Sequence, residues 1–273
     1  MAGDRTVDGP DAGMDRRQSL DIGSLLADGV DGLASVTGAQ FVVVLAGLGI
    51  VSTALWQTLF VTAIESLLTY IRENVDVTTT PEMQRAITEL ESVVDTLGLT
   101  VDLSVPVVLV GLFVLALVSE AVMIVAARAF ADGALDGVPA PLATRRLPVA
   151  TLYGFFGGLV VMLAVSVGMV LLVVPGVIVY VGTLFFRQEV AIADKGPLQA
   201  ISGSWALTKG NRWLLLALAL VLVVIGYVAG FVVGFVPGTA GTVVQTVVTS
   251  AVGVFAIAVI TNAYVRLREP QRP

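Results

Sequence analysis

Four polar side chains that could do chemistry stand inside apolar sequence. They are Glu120 in one apolar run and Arg187, Gln188 and Glu189 in another. A lone charge in hydrocarbon costs about 2.5–3.5 kcal/mol on insertion scales. Glu120 and Arg187 each lie about 12 Å, or eight helical residues, from a basic boundary, so we expect them to pair. The pair is either a substrate, proton or lipid-headgroup site or a structural ion pair between two spans, and Gln188 and Glu189 are expected to share its cluster.

The residue types that the chain lacks exclude much of enzyme chemistry. There is no histidine and no cysteine, which removes the commonest general base, the thiol nucleophile and the usual transition-metal ligands. We find no Walker motif, no G-x-S-x-G nucleophile elbow and no dinucleotide fingerprint after a strand. The sequence therefore predicts no catalytic residue, no metal and no cofactor. Its basic residues are scattered along one membrane face, which argues against nucleic acid as a partner.

Long apolar runs must position these residues. Hydrophobic residues make up 56 % of the chain and charged residues 13 %, against about 25 % charged in a globular protein. Several runs exceed ~18 residues, which is enough to cross a membrane as a helix. The sequence therefore predicts an all-α polytopic membrane protein with two or three interfacial amphipathic helices. Its six predicted transmembrane spans are residues 41–64, 105–127, 149–174, 177–193, 213–235 and 242–265.

The polar segments divide the chain into three parts. Residues 1–38 are predicted to form an acidic cytoplasmic tail with a short interfacial helix, 39–269 the membrane domain, and 270–273 a second tail. Inside the membrane domain we expect an outer amphipathic helix at about 80–98 and an inner surface helix at about 196–210. The soluble parts are acidic and the chain has only two lysines, which favours adaptation to high salt. Solubility through a net charge of −6 is the simpler alternative.

A Pro-Gly step, Pro175-Gly176, interrupts the third apolar run, and proline removes a backbone donor that a straight helix needs. Only ten apolar residues then precede Arg187, too few to cross ~30 Å alone. The helix can cross if its charges are shielded by protein, so we expect it to continue through Ala193. Residues 149–193 would then form a hairpin with a tight Pro-Gly turn. A discontinuous-helix binding site of the transporter type is the alternative.

Glycines recur every four residues in the fifth span, at Gly226, Gly230 and Gly234. This spacing gives one smooth helix face, which lets a neighbouring backbone approach closely. The neighbour is either a second copy of the chain, in a homodimer, or another helix of the same bundle.

The basic residues also predict the orientation, because cytoplasmic loops of membrane proteins are rich in arginine and lysine. With the N-terminus inside, thirteen of the 15 basic residues fall on the inner side, and Arg72 and Arg85 fall outside. An even number of spans returns the C-terminus to the same side. The sequence therefore predicts a multi-pass protein of the cell (inner, cytoplasmic) membrane with both termini cytoplasmic.

The stretch from the Pro-Gly step into the fifth span carries a recognisable set of residues. They are Pro175, Gly176, Ser204, Trp205, Leu207, Thr208, Gly210 and Trp213. In them the chain resembles a family of uncharacterised prokaryotic integral membrane proteins related to the membrane domain of some glycerophosphodiester phosphodiesterases. The resemblance spans about residues 150–215 and implies a six-helix membrane domain with interfacial helices. It does not imply phosphodiesterase activity, which belongs to a soluble barrel domain, and the acidic segment 72–104 suggests a halophilic, archaeal-type member.

These observations favour one function and leave two others open. The favoured function is a non-enzymatic membrane scaffold or module that interacts with membrane lipid, a protein partner or a second copy. The alternative is a small transporter or channel that uses Glu120 and Arg187, and the third is a membrane-embedded enzyme.

Overall fold

The computed structural model describes residues 21–74 and 81–268, and within them the chain is built of helices without a strand. This confirms the predicted all-α class. The predicted tail before residue 21 and the tail at 270–273 lie outside the described residues. The helices are α1 Ile22–Ala34, α2 Val36–Asn74, α3 Pro81–Thr96, α4 Val105–Asp132, α5 Ala140–Thr144, α6 Leu147–Leu171, α7 Val173–Gly182, α8 Phe186–Ala191, α9 Pro197–Thr208, α10 Arg212–Val233 and α11 Gly238–Arg268.

Six segments of the described residues are long and apolar enough to cross a membrane, which confirms the predicted multi-pass protein. They are α2, α4, α6, the combined segment Val173–Ala191, α10 and α11. The first span is much longer than predicted, because α2 continues unbroken for 39 residues, or about 58 Å. A helix needs only about 20 residues to cross the hydrocarbon of a bilayer. The helix therefore extends beyond the hydrocarbon.

The spans form a closed ring in which each packs against its neighbours: α2 on α4, α4 on α6, α6 on α7, α7 on α10, α10 on α11, and α11 back on α2. A diagonal contact between α4 and α11 closes the centre of the ring. Helix α9 lies against α6, α7 and α8, where it covers one end of the bundle.

The first helix brings the two ends of the described chain together. Helix α1 packs on α11, and a Cβ on Gly29 would lie 2.3 Å from the Val259 side chain, so only glycine permits this approach. Arg266 donates to Ser24 Oγ at 2.7 Å and pairs with Asp28. Both ends of the described chain therefore lie on one side of the bundle, as an even number of spans requires.

The N-terminus of α1 is capped by Asp21, whose carboxylate accepts from the backbone N–H of Ser24 at 2.8 Å and of Gly23 at 3.4 Å. The bond from Ser24, reinforced by that from Gly23, lowers the pKa of Asp21, which is fully exposed. Such caps satisfy orphan N–H groups of the first turn. The predicted interfacial helix therefore begins at a defined residue.

Tight packing is concentrated at the end of the bundle that holds both chain ends. The buried residues of α6 are Ala150, Thr151, Gly154 and Gly157, all near its start. The buried residues of α10 likewise lie at its start, and most of those of α4 and α11 lie near their C-terminal ends. The other halves of these helices expose large apolar side chains. That surface suits hydrocarbon rather than water.

At the opposite end, α3 folds back on the extension of α2. Arg72 of α2 forms an ion pair with Glu91 of α3. Gln57 Oε1 accepts from the backbone N–H of Leu99, and Thr58 Oγ1 accepts from that of Val101, both at 2.9 Å. The predicted amphipathic helix at 80–98 is thus present as Pro81–Thr96.

The predicted Pro-Gly turn is wrong in position. The chain reverses at Leu172, whose backbone is extended, and Pro175 and Gly176 lie in the first turn of α7. Proline is tolerated there because the first N–H groups of a helix have no intrahelical acceptor. Gly176 serves close packing instead: its Cβ would lie 2.6 Å from the backbone nitrogen of Met169 in α6.

Candidate functional site

Glu120 and Arg187 form a two-point ion pair between α4 and α8. Arg187 Nε donates to Glu120 Oε1 at 3.1 Å, and Arg187 Nη2 donates to Oε2 at 2.9 Å. This fork-to-carboxylate geometry is the strong form of an ion pair. The side chain of Glu120 is 11 % exposed and that of Arg187 is 38 % exposed. The pairing expected from the matching depths of the two charges is therefore present in the structure.

The pair closes one end of an open groove between α6 and α7. The groove has a volume of about 480 Å³. Its wall along α6 begins at Gly154, where a Cβ would lie 2.5 Å from Glu120 Oε1, and it reaches Ser166. Tyr180 of α7 forms part of the opposite side. The groove is therefore mainly apolar, with a guanidinium and a carboxylate at one end.

Gln188 and Glu189 do not belong to the cluster that the sequence predicts. Successive helical residues point about 100° apart, so α8 sends its three polar side chains to different neighbours. Gln188 is buried and its Nε2 lies 3.5 Å from Thr261 Oγ1 of α11. Glu189 is buried and pairs with Lys195 at 2.5 Å. Three separate polar contacts replace the one cluster.

The fourth span is broken, where a helix continuing through Ala193 is predicted. Helix α7 ends at Gly182, a turn occupies 183–185, and α8 begins at Phe186. The hydroxyl of Ser204, which is 0 % exposed, bridges this break. It accepts from the N–H of Phe185 at 3.1 Å and donates to the carbonyl of Gly182 at 2.9 Å. A hydroxyl from α9 thus satisfies the backbone groups that the interruption releases.

Trp205 and Gly210 of the recognisable stretch, together with nearby glycines and Arg212, hold α9 in this position. A Cβ on Gly182 would lie 2.3 Å from the Trp205 ring, so the indole packs directly on the backbone at the break. Gly203 gives room to the ion pair beside it, since its Cβ would lie 2.6 Å from Lys195 Nζ. Arg212 stacks over Trp205, with its Cζ 4.6 Å from the centroid of the ring. Gly210 adopts φ +94°, the left-handed conformation that lets the chain leave α9 for α10.

Arg128 is a buried charge of the core beyond the four polar residues that the sequence singles out. It is buried, and its Nε donates to the carbonyl of Ala191 at 2.7 Å. Its Nη1 donates to the carbonyls of Arg145 at 2.7 Å and Leu142 at 3.2 Å, and Nη2 lies 3.7 Å from Asp194. The apolar residues that continue α4 past Arg128 are the sequence signal that it lies inside the core.

The glycine face of α10 is turned partly toward its own bundle. A Cβ on Gly226 would lie 3.6 Å from Val252, and one on Gly230 would lie 3.3 Å from Gln245 Nε2, both on α11. Gly234 lies at the end of α10, beside its own helix backbone. These contacts favour internal packing for the glycine repeat, and homodimerisation stays a prediction.

The geometry assigns the polar groups to holding the fold and lining one groove. Glu120, Arg187 and Glu189 each have an opposite charge as partner, and Arg128 has a set of carbonyls. No group of three or more carboxylates in the described part of the chain is placed to bind a metal ion. The Glu120–Arg187 groove is therefore the candidate site.

Comparison with known proteins gives a family without an assigned activity. The model of a domain of unknown function, DUF7847, matches residues 20–267, so the chain belongs to that family. Searches of curated proteins and of solved structures gave no match. Nothing in the family match connects the chain to glycerophosphodiester phosphodiesterases, so that resemblance and the halophilic, archaeal-type assignment stay predictions.

Replacement of Arg187 by leucine should lower the stability of the protein, because it leaves the Glu120 carboxylate unpaired in a mainly apolar site. We expect a loss of about 2–3 kcal/mol, measured by thermal unfolding in detergent. The double variant Arg187→Leu, Glu120→Leu should recover part of the loss, since it removes both charges. Equal stability of the single variant and the wild type would contradict the assigned role of the pair.

Ser204→Ala should destabilise the protein through the broken span, because it orphans the buried N–H of Phe185 and the carbonyl of Gly182. The expected cost is about 2–3 kcal/mol. Ser202→Ala, on the exposed face of the same helix, is the matched control and should change the unfolding temperature little. Equal effects of the two variants would show that the hydroxyl is not needed at the break.

Proposed function

We propose that this member of the DUF7847 family is a non-enzymatic module of the cytoplasmic membrane, which serves as a scaffold and interacts with membrane lipid or a protein partner. One observation carries the proposal. The charged side chains at the core of the bundle are engaged with each other in the pairs Glu120–Arg187 and Glu189–Lys195. Arg128 is engaged with backbone carbonyls, and we call this set of hydrogen bonds the Arg128 clamp. General acid–base work needs a group free to exchange its proton with a substrate.

The exposed surface supports the interaction half of this proposal. Large apolar side chains face outward along the halves of α6 and α10 that are remote from the packed core. At the packed end, Trp213 and Leu198 are exposed, and each lies within four residues of a lysine in the sequence, Lys209 and Lys195 respectively. Aromatic and basic residues of this kind anchor proteins at the boundary between headgroups and hydrocarbon.

A transporter or channel that uses the Glu120–Arg187 pair is the second candidate, and the open groove is the observation that favours it. Intramembrane charges line ion and substrate pathways in many transporters. A scaffold is favoured over it because Gly157, next to the groove, packs tightly against Phe186 and Pro197. This contact packs α6 onto α8 and α9 beside the groove.

Reconstitution into liposomes separates the two candidates. For a scaffold, we expect proton and ion flux across the liposomes to equal that of protein-free vesicles. We also expect lipid or a protein partner to co-purify from native membranes at fixed stoichiometry, measured by mass spectrometry. A flux that Glu120→Gln abolishes would overturn the scaffold in favour of the transporter, and purification with neither lipid nor partner would contradict the interaction.

The proposed orientation can be tested in this cysteine-free chain by introducing single cysteines. Ser202 of α9 lies at the end that holds both chain ends, and Ser92 of α3 lies at the other; both are exposed. In intact cells a membrane-impermeant maleimide should label Ser92→Cys and should label Ser202→Cys only after the membrane is opened. The basic residues predict this result. The reverse labelling pattern would show that the protein has the opposite orientation.

A further inference from the structure

We infer that the groove between α6 and α7 binds one membrane phospholipid. The phosphate of this lipid contacts Arg187, and one of its acyl chains lies along α6. This inference deepens the proposed function, because it names the lipid chemistry and the place where it binds.

The dimensions of the groove match a lipid headgroup followed by part of a chain. Its volume is about 480 Å³, within the range of about 300–1,000 Å³ typical of ligand sites. Its wall along α6 runs from Gly154 to Ser166, a rise of about 18 Å along the helix. Only one end carries charge, and Val161, Met162 and Val165 line the stretch between. An amphiphile complements such a site better than a small polar solute.

The guanidinium of Arg187 has donors left over for a ligand. Its hydrogen bonds to the described residues use Nε and Nη2, both directed at Glu120, and Nη1 has no acceptor among those residues. The side chain lines the groove and is 38 % exposed. Arginine is well suited to phosphate oxygens because its donors are planar and permanently charged. The Glu120 carboxylate holds the guanidinium at the groove's end.

The ligand must enter from the side of the bundle. Gly157 packs against Phe186 and Pro197, so α8 and α9 cover the face of α6 beside the groove. Met162 and Tyr180 are exposed at the edge of the groove, and the neighbouring Leu163 and Leu159 face outward. A molecule that arrives through this apolar surface comes from the surrounding lipid. The source of the phosphate is therefore a membrane lipid and not a soluble phosphate ester.

Gly158 offers a way to fill the groove without disturbing the protein. It lines the groove, and a Cβ there would meet no atom of the described residues within 4 Å. Gly158→Leu should therefore place a side chain where the lipid chain lies. Gly47 in α2 is a matched control, because it is exposed, helical, outside the groove, and equally free of contacts within 4 Å among the described residues. Both changes raise helix propensity by a similar amount.

The test is lipid binding to the detergent-solubilised full chain, measured by native mass spectrometry with phosphatidylglycerol as the probe. We expect a one-to-one complex with the wild type. Diacylglycerol with the same chains should bind at least about tenfold more weakly, because it lacks the phosphate. Glycerol 3-phosphate at the same concentration should not displace the lipid. Gly158→Leu should weaken phosphatidylglycerol binding by about tenfold or more, and Gly47→Leu should leave it unchanged.

Several results would overturn the inference. Equal binding of diacylglycerol and phosphatidylglycerol would show that Arg187 does not recognise the phosphate. Displacement by glycerol 3-phosphate would show that the site accepts a soluble phosphate ester. Unchanged lipid binding by Gly158→Leu, with an unfolding temperature like that of Gly47→Leu, would place the lipid elsewhere. The two lipid comparisons use the wild type and hold even if a variant does not fold. Flux through liposomes decides the scaffold separately, so failure of the two proposals is distinguishable.

Discussion

A hydroxyl group placed against a broken helix is the contact on which the packed half of the bundle depends. Hydrocarbon offers no hydrogen bonds, so a membrane helix can stop and restart only where protein supplies donors and acceptors. Ser204 supplies both, to Phe185 and Gly182. Because Ser204 belongs to α9, the fourth span depends on α9 for these hydrogen bonds. The break in turn sets the direction of α8, and with it the partners of Arg187, Gln188 and Glu189.

The recognisable stretch of the sequence has a physical basis in the same contact. Glycine at 182 and 203 gives room to the Trp205 ring and to the Glu189–Lys195 pair, and Ser204 lies between these two close approaches. Gly182 is needed because its backbone and the Trp205 ring come closer than a side chain would allow, and Ser204 is needed because its hydroxyl bonds to Phe185 and Gly182. Ser204 and Trp205 of the recognisable stretch are therefore explained by hydrogen bonding and packing at an interrupted span.

Much of the fold follows from the sequence, because hydrophobic length and the positions of basic residues act over whole segments. The six spans and the Glu120–Arg187 pair belong to this class, since depth alone puts the two charges level. Local geometry was harder to predict. The turn at Leu172 and the break at 183–185 depend on tertiary contacts with Met169 and Ser204. The burial of Arg128 likewise depends on carbonyls of loops remote in sequence.

The Arg128 clamp has a consequence for biogenesis. When the ribosome has completed α4, this arginine has none of its acceptors, because the carbonyls of Leu142, Arg145 and Ala191 belong to later parts of the chain. An unpaired guanidinium stays with water or headgroups rather than entering an apolar core. Arg128 can therefore enter the core only after the fourth span has been inserted, so the end of the bundle that holds both chain ends packs late in biogenesis.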